Sequence, residues 1–237
     1  MILITRPKEQ SKNLDLLLGS KGYETFLESL YNIKYCKNKV SYNKDIHYIF
    51  PSINSVQSLI NSKQIYKFRK ANILAIGKKV QQALEGAGCN KILLVTVDSD
   101  SMLKKLNSPK FINCNFTYLC SNVVNQVFLK TIEKYKIRIQ KEIIYKTVPS
   151  QRMTKKLIQH LKLKNIHGVT FFSKLSVEIF LNLISKYSSL NLIKDIHFYC
   201  ISERVASVLR LKKLNFVHIA LRPNQSSLVR KIQQIHH

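Results

Sequence analysis

IFPSINSVQSLI, residues 49–60, and TFFSKLSVEIFL, residues 170–181, are two copies of one local design. Each is a short apolar run that ends at a serine and passes into a helix-like segment. Ser52 pairs with Ser173 and Val56 with Val177, at an offset of 121 residues. Further on, AIGKKVQQAL at 75–84 matches CISERVASVL at 200–209. Each of these is followed by a strand-like run, KILLVTV or FVHIAL, and then by another helix. Two α/β domains of one design explain the repeat. Chance likeness between βα turns is the competing explanation.

Working outward, strand-like and helix-like runs alternate along nearly the whole chain. MILIT, a helix over 9–21 and YETFLE open it. HYIFPS, NILAIG, KILLVTV and NFTYLCS follow, with helices expected over 54–62, 78–87, 99–106 and 123–135. After an extended run over 142–148 come helix 152–163, GVTFFS, helix 176–187, IHFYCIS, helix 203–212, FVHIAL and helix 226–235. The apolar runs lack clean alternation, as in strands buried on both faces of a parallel sheet. The expected fold class is therefore α/β: two similar domains, each a parallel sheet flanked by helices.

The first half carries one extra leading unit. The N-terminal βαβ segment is thus expected to complete the sheet of the C-terminal half, giving a discontinuous domain of residues 1–30 and 149–237. Residues 36–142 form the inserted domain. The connections at 31–35 and 143–148 are both extended and pair as a two-stranded antiparallel ladder. A cleft between two such domains is a common place for a ligand.

Composition narrows the function. Hydrophobic residues make up 45% of 237, a normal share for a globular core. No apolar run approaches the roughly 18–20 residues that span a bilayer, and MILIT is too short for a signal peptide. A soluble cytoplasmic protein is expected. The five cysteines have no C-x-x-C spacing and read as small hydrophobes. The histidines are scattered, so no metal site is expected. No P-loop or G-x-G-x-x-G follows a strand.

Lys and Arg number 39 against 13 Asp and Glu, a net charge of +26. The field favours an anionic partner. A high A+T coding bias accounts for many lysines equally well, since Lys, Ile and Asn are abundant while Gly and Pro are few and Trp is absent.

The ordered set of turns resembles the uroporphyrinogen-III synthase family over nearly the whole chain. ILITRP resembles its first βα unit, and IFPSINSV its F-T-S-x-x-A-V turn. ILAIGKKVQQALEGAG resembles the G-x-x-T segment, EIIYKTVP the Y-x-T segment and TFFSKLSVEIF the second F-T-S turn. ISERVASVLRLKKL and IALRPNQSSLVRKI resemble the last two βα units. Each motif alone is a common βα turn; their order and spacing carry the likeness.

The resemblance implies a cofactor-free lyase acting on hydroxymethylbilane, a linear tetrapyrrole with eight carboxylates. Loss of its terminal hydroxyl gives an azafulvene, the last pyrrole inverts through a spiro intermediate, and the macrocycle closes to uroporphyrinogen III. Without inversion the product is the type I isomer. The enzyme has to hold a conformation and help a hydroxyl leave. Tyr145, in EIIYKTVP, matches the family tyrosine; a phenol, with pKa about 10, stays protonated at neutral pH and can donate to that hydroxyl. The bland alternative is a packing tyrosine at the hinge.

Carboxylates suit the N–H groups of helix N-termini. The matching turns supply Ser52, Asn54, Gly77, Lys78, Ser121, Asn122, Ser173, Ser202 and Arg204 as substrate-binding candidates. Ser52 and Ser173 read equally well as N-caps. The chain departs from the family at Val80 and Val205, where threonine is usual, at Ser202 and Ser121, where glycine is usual, and at Asn125, in place of arginine. The family implies a monomer and allows a transient contact with hydroxymethylbilane synthase. Other readings stay open here: a member that has lost activity, a hinged binding protein for an anionic ligand, and a nucleic-acid-binding module. The last lacks any helix-turn-helix, RRM or zinc signature, and its lysines are not gathered in one segment.

Overall fold

The computed structural model describes residues 1–124, 126–187 and 190–235, with side chains for all of these except 126, 127 and 190. Asn125, His236 and His237 lie outside the described residues. In chain order the elements are β1 (Ile2–Ile4), α1 (Lys8–Gly19), β2 (Thr25–Leu27), β3 (Tyr31–Tyr35), β4 (Ile46–Phe50), α2 (Ile53–Asn61), β5 (Asn72–Ile76), α3 (Lys78–Gly86), β6 (Ile92–Thr96) and α4 (Ser99–Leu106). There follow β7 (Asn115–Ser121), α5 (Gln126–Lys134), β8 (Ile139–Pro149), α6 (Lys155–Lys162), β9 (Gly168–Phe171), α7 (Lys174–Lys186), β10 (His197–Cys200), α8 (Glu203–Arg210), β11 (Val217–Ile219) and α9 (Gln225–Ile235). This is the expected α/β alternation. Helix α6 starts later than the expected 152 because Thr154 caps it, its hydroxyl accepting from Leu157 N at 3.2 Å.

The chain divides into two compact units, Met1–Asn32 with Val148–His237, and Ile33–Thr147. The first holds a five-stranded sheet in the order β11-β10-β9-β1-β2 with parallel pairings. Side chains alternate across it. Ile2 and Ile4 join Tyr199 and Leu228 on one face, while Leu3 joins Val169, Phe171 and Phe198 on the other. Gly168 permits a close approach, since a Cβ there would lie 2.9 Å from the Tyr199 ring. The hydroxyl of Thr5 donates to Thr170 O at 2.7 Å, which ties the end of β1 to β9.

The other sheet has the order β3-β8-β7-β4-β5-β6. Strands β8-β7-β4-β5-β6 are all parallel to their neighbours. Both faces are again buried. Tyr48, Phe50, Ile73 and Ala75 pack with Phe68 on one side; Ile49, Leu74 and Ile76 pack with Met102 and Phe116 on the other. This double burial is why the strands read as continuous apolar runs.

In each unit the order of strands reverses once. The chain leaves β4 toward β5 and β6, then returns to lay β7 on the opposite side of β4. In the first unit the reversal lies between β1 and β9. Open parallel sheets bind ligands outside the carboxyl ends of the strands at such a switch point.

Candidate active site

Ser52 follows β4 and Asn122 follows β7, so both stand at the switch point of the second unit. Tyr145 lies on β8, beside β7. Its position depends on a bulge. Cys120 pairs with Ile143, but Ser121 pairs with Tyr145, so Ile144 is an extra residue. Bulges re-aim a side chain by one step of the pleat. As a result Ile144 and Tyr145 both join the core packed on Phe50 and Val56.

The bulge is held from several sides. The carbonyl of Ile144 accepts from Cys36 N at 2.9 Å and from the Ser58 hydroxyl. Asn122 Oδ1 accepts from Thr147 N at 2.8 Å and from Ser121 Oγ at 2.9 Å. Ser121 Oγ also lies 3.1 Å from Thr147 Oγ1. Bonds to carbonyl 144 and amide 147 therefore bracket Tyr145.

The phenol of Tyr145 lies 2.9 Å from Ser52 Oγ. Ser52 occupies the N-cap position of α2 in an extended conformation, yet its side chain makes no cap bond. Its hydroxyl is turned to the tyrosine instead. Tyr145 is 6% exposed, so the pair is largely shielded from water. Tyr118 is buried and stacked on Phe128 at 4.7 Å. Burial first, then the neighbouring Cys120 and Tyr145, hold the Tyr118 phenol well above its usual range.

The other predicted residues fall as follows. Gly77 caps α3 with φ 97°, a conformation that favours glycine, and its N–H donates to Thr96 O at 2.7 Å. Lys78 beside it is exposed, and Asn54 is half-buried in the first turn of α2. In the first unit, Ser173 caps α7, accepting from Ser176 N at 3.1 Å. Ser202 caps α8 by position without a side-chain cap bond, and Arg204 is exposed. Glu203 in that turn is paired with Arg210, which tempers its repulsion of an anion. Ser52, Ser121, Asn122 and Tyr145 are thus one connected patch, with Gly77 and Lys78 one strand over.

Val80 and Val205 are each 5% exposed and packed in the two cores. Each fills its helix–sheet interface with a methyl where the family pattern has a hydroxyl. Ser58 escaped the sequence reading; its only signal is a serine on the buried face of an apolar helix.

The comparisons fit this geometry. The family model described as "Uroporphyrinogen-III synthase HemD" matches residues 12–230. The chain belongs to the uroporphyrinogen-III synthase family. It is accordingly a cyclising lyase of porphyrin biosynthesis. Among solved structures, the uroporphyrinogen-III synthetase of Helicobacter pylori superimposes with a TM-score of 0.68 at 14% identity, over 99% of both chains. A mutant uroporphyrinogen III synthase from Thermus thermophilus gives 0.63 at 15% identity, again over 99% of both. At such identities these two likenesses speak to the fold, which they share with this family member. No curated protein sequence matches the chain. No described helix is long and apolar enough to cross a membrane.

Proposed function

We propose that this family member converts hydroxymethylbilane to uroporphyrinogen III and water, with Tyr145 as the proton donor to the departing hydroxyl. The observation that carries the assignment is the 2.9 Å contact between the Tyr145 phenol and Ser52 Oγ at a sheet switch point. Ser52 fixes the phenol's direction. As the C–O bond of the hydroxymethyl group breaks, the phenol gives its proton and water leaves. Ring closure later releases one proton from a pyrrole carbon, which returns the phenolate to the phenol, so no net proton is consumed. A shielded site makes each such hydrogen bond stronger than it would be in water.

Substrate carboxylates are taken by the turns that end the strands. The helix starts that follow Gly77, Ser173 and Ser202 offer first-turn backbone N–H groups, Asn54 and the Asn122 amide nitrogen contribute side-chain donors, and Lys78 and Arg204 contribute charge. Ser121 serves here through Asn122 and Thr147, as a positioning residue. The reaction needs no cofactor, and we place the enzyme in the cytoplasm as a monomer, meeting hydroxymethylbilane synthase transiently.

A coupled assay with hydroxymethylbilane, resolving type I from type III uroporphyrinogen after oxidation, tests the reading. Predominant type III product is expected. Type I product alone, from protein shown to be folded, would overturn it.

A further inference from the structure

The switch point of the first unit carries a second tyrosine–serine pair. Ser173, the repeat partner of Ser52, follows β9, and Tyr31 packs on the same core as Phe171 and Val177, its phenol within electrostatic reach of Ser173 and Arg6. Arg6 follows β1, the strand on the other side of the switch. Its guanidinium lies over the Phe172 ring, 4.3 Å from the centroid, and donates to Gln10 Oε1 at 3.1 Å. The hydroxyls of Ser11 and Ser29 both donate to the Arg6 carbonyl at 3.0 Å, which fixes the backbone beneath it.

Arg6 is half-buried, yet none of the ion pairs among the described residues includes it. A guanidinium drawn partly out of water and left without a carboxylate is half of an ion pair. Burial lowers its pKa and the Tyr31 phenol raises it. Tyr31 is likewise held back from ionising, chiefly by burial, and so keeps its proton to donate. One planar cation flanked by two hydroxyls matches a single carboxylate. A phosphate diester backbone would call for a row of cations.

We propose that Arg6, Tyr31 and Ser173 form a carboxylate-binding subsite that takes an acetate or propionate side chain of the tetrapyrrole. The proposal rests on the functional reading above, and it adds two residues, Arg6 and Tyr31, to the candidates drawn from the family turns. The subsite holds the substrate without touching the reacting carbon, so its loss falls on binding.

Uroporphyrin III, the stable oxidised product, is the probe. Its affinity for the full chain is measured at about physiological ionic strength, where exposed charges are screened beyond roughly 8 Å. Arg6→Gln should weaken binding about 10-fold or more, and Tyr31→Phe about 3-fold, as expected for losing a charge-assisted and a neutral hydrogen bond. Lys8→Gln, which removes the same charge from an exposed position nearby, should change it less than about 2-fold. In turnover, Arg6→Gln should raise KM with kcat nearly unchanged. If Arg6→Gln does not fold, the isosteric Tyr31→Phe decides. Wild-type affinity in both Arg6→Gln and Tyr31→Phe, or an Arg6→Gln loss no larger than that of Lys8→Gln, would overturn the subsite and leave the enzyme assignment standing. A wild-type chain that neither binds the probe nor makes the type III isomer would remove both.

Discussion

Ser52 Oγ and the Tyr145 phenol meet at 2.9 Å although 93 residues separate them in sequence. The serine sits where an N-cap belongs and leaves its helix uncapped by a side chain. A cap contributes about 1 kcal/mol, so the contact with Tyr145 takes the place of a stabilising bond. Ser52→Ala should therefore cost little stability, under about 1 kcal/mol, while type III formation falls about 10-fold through loss of the hydrogen bond that aims the phenol. Thermal unfolding and initial rates, measured on the same preparation, check the split. A drop in stability with unchanged rate would make Ser52 an ordinary helix-start residue.

Asn122 closes a network that fixes the strand carrying Tyr145. Asn122→Ala leaves Thr147 N and Ser121 Oγ without their acceptor and should destabilise the protein by about 1–3 kcal/mol. Asn122→Asp keeps both acceptor bonds and should recover most of that loss. Urea denaturation of the two variants tests the claim; equal losses would show that the acceptor is not what matters.

His47 has a buried Nδ1 with no hydrogen-bond partner. Burial lowers its pKa, and Lys91 and Lys110 lower it further. The unfolded chain takes up a proton below about pH 6.5, whereas the folded protein resists it. Stability from this group is full above that pH and is lost as pH falls toward the depressed folded value. The urea midpoint should be lower at pH 5.5 than at pH 7.5, and His47→Phe, set among Phe111 and Phe116, should flatten part of that slope. An unchanged slope in the variant would assign the effect to other groups, His197 first, whose pKa burial also lowers.

The cysteines divide by burial. Cys89, Cys120 and Cys200 are at most 2% exposed, and burial pushes the Cys120 thiol up to about 11 and that of Cys200 up to about 12. They stay protonated and unreactive at pH 8. Cys36 and Cys114 are half-exposed. Iodoacetamide at pH 8 should alkylate Cys36 and Cys114 in the native protein and all five after denaturation, read by intact mass and peptide mapping. Native labelling at Cys120 or Cys200 would contradict the packing.

Much of the fold was legible because the signal is local. A run such as NFTYLCS, apolar on both faces, is β7 to the residue, and the predicted helix at 99–106 is α4 with Asp98 as its cap. The repeat of Ser52 in Ser173 was legible too, since βα turns use small polar residues at helix starts. What the two serines do was not. One bonds Tyr145 and the other caps its own helix, and the difference lies in which distant strand passes by. The bulge at Ile144 leaves no mark in EIIYKTVP, because the extra residue is as apolar as its neighbours. In ILITRP, Arg6 is a single charge after an apolar run; that it belongs to none of the ion pairs among the described residues is visible only in three dimensions.

The most direct test of the account is Tyr145→Phe assayed beside wild type with hydroxymethylbilane, with type I and type III products resolved. The account predicts a protein folded as stably as wild type to within about 1 kcal/mol, with type III formation slowed about 100-fold or more, the scale of a lost general acid. Type III output at the wild-type rate would contradict it and leave Tyr145 as a packing residue on β8.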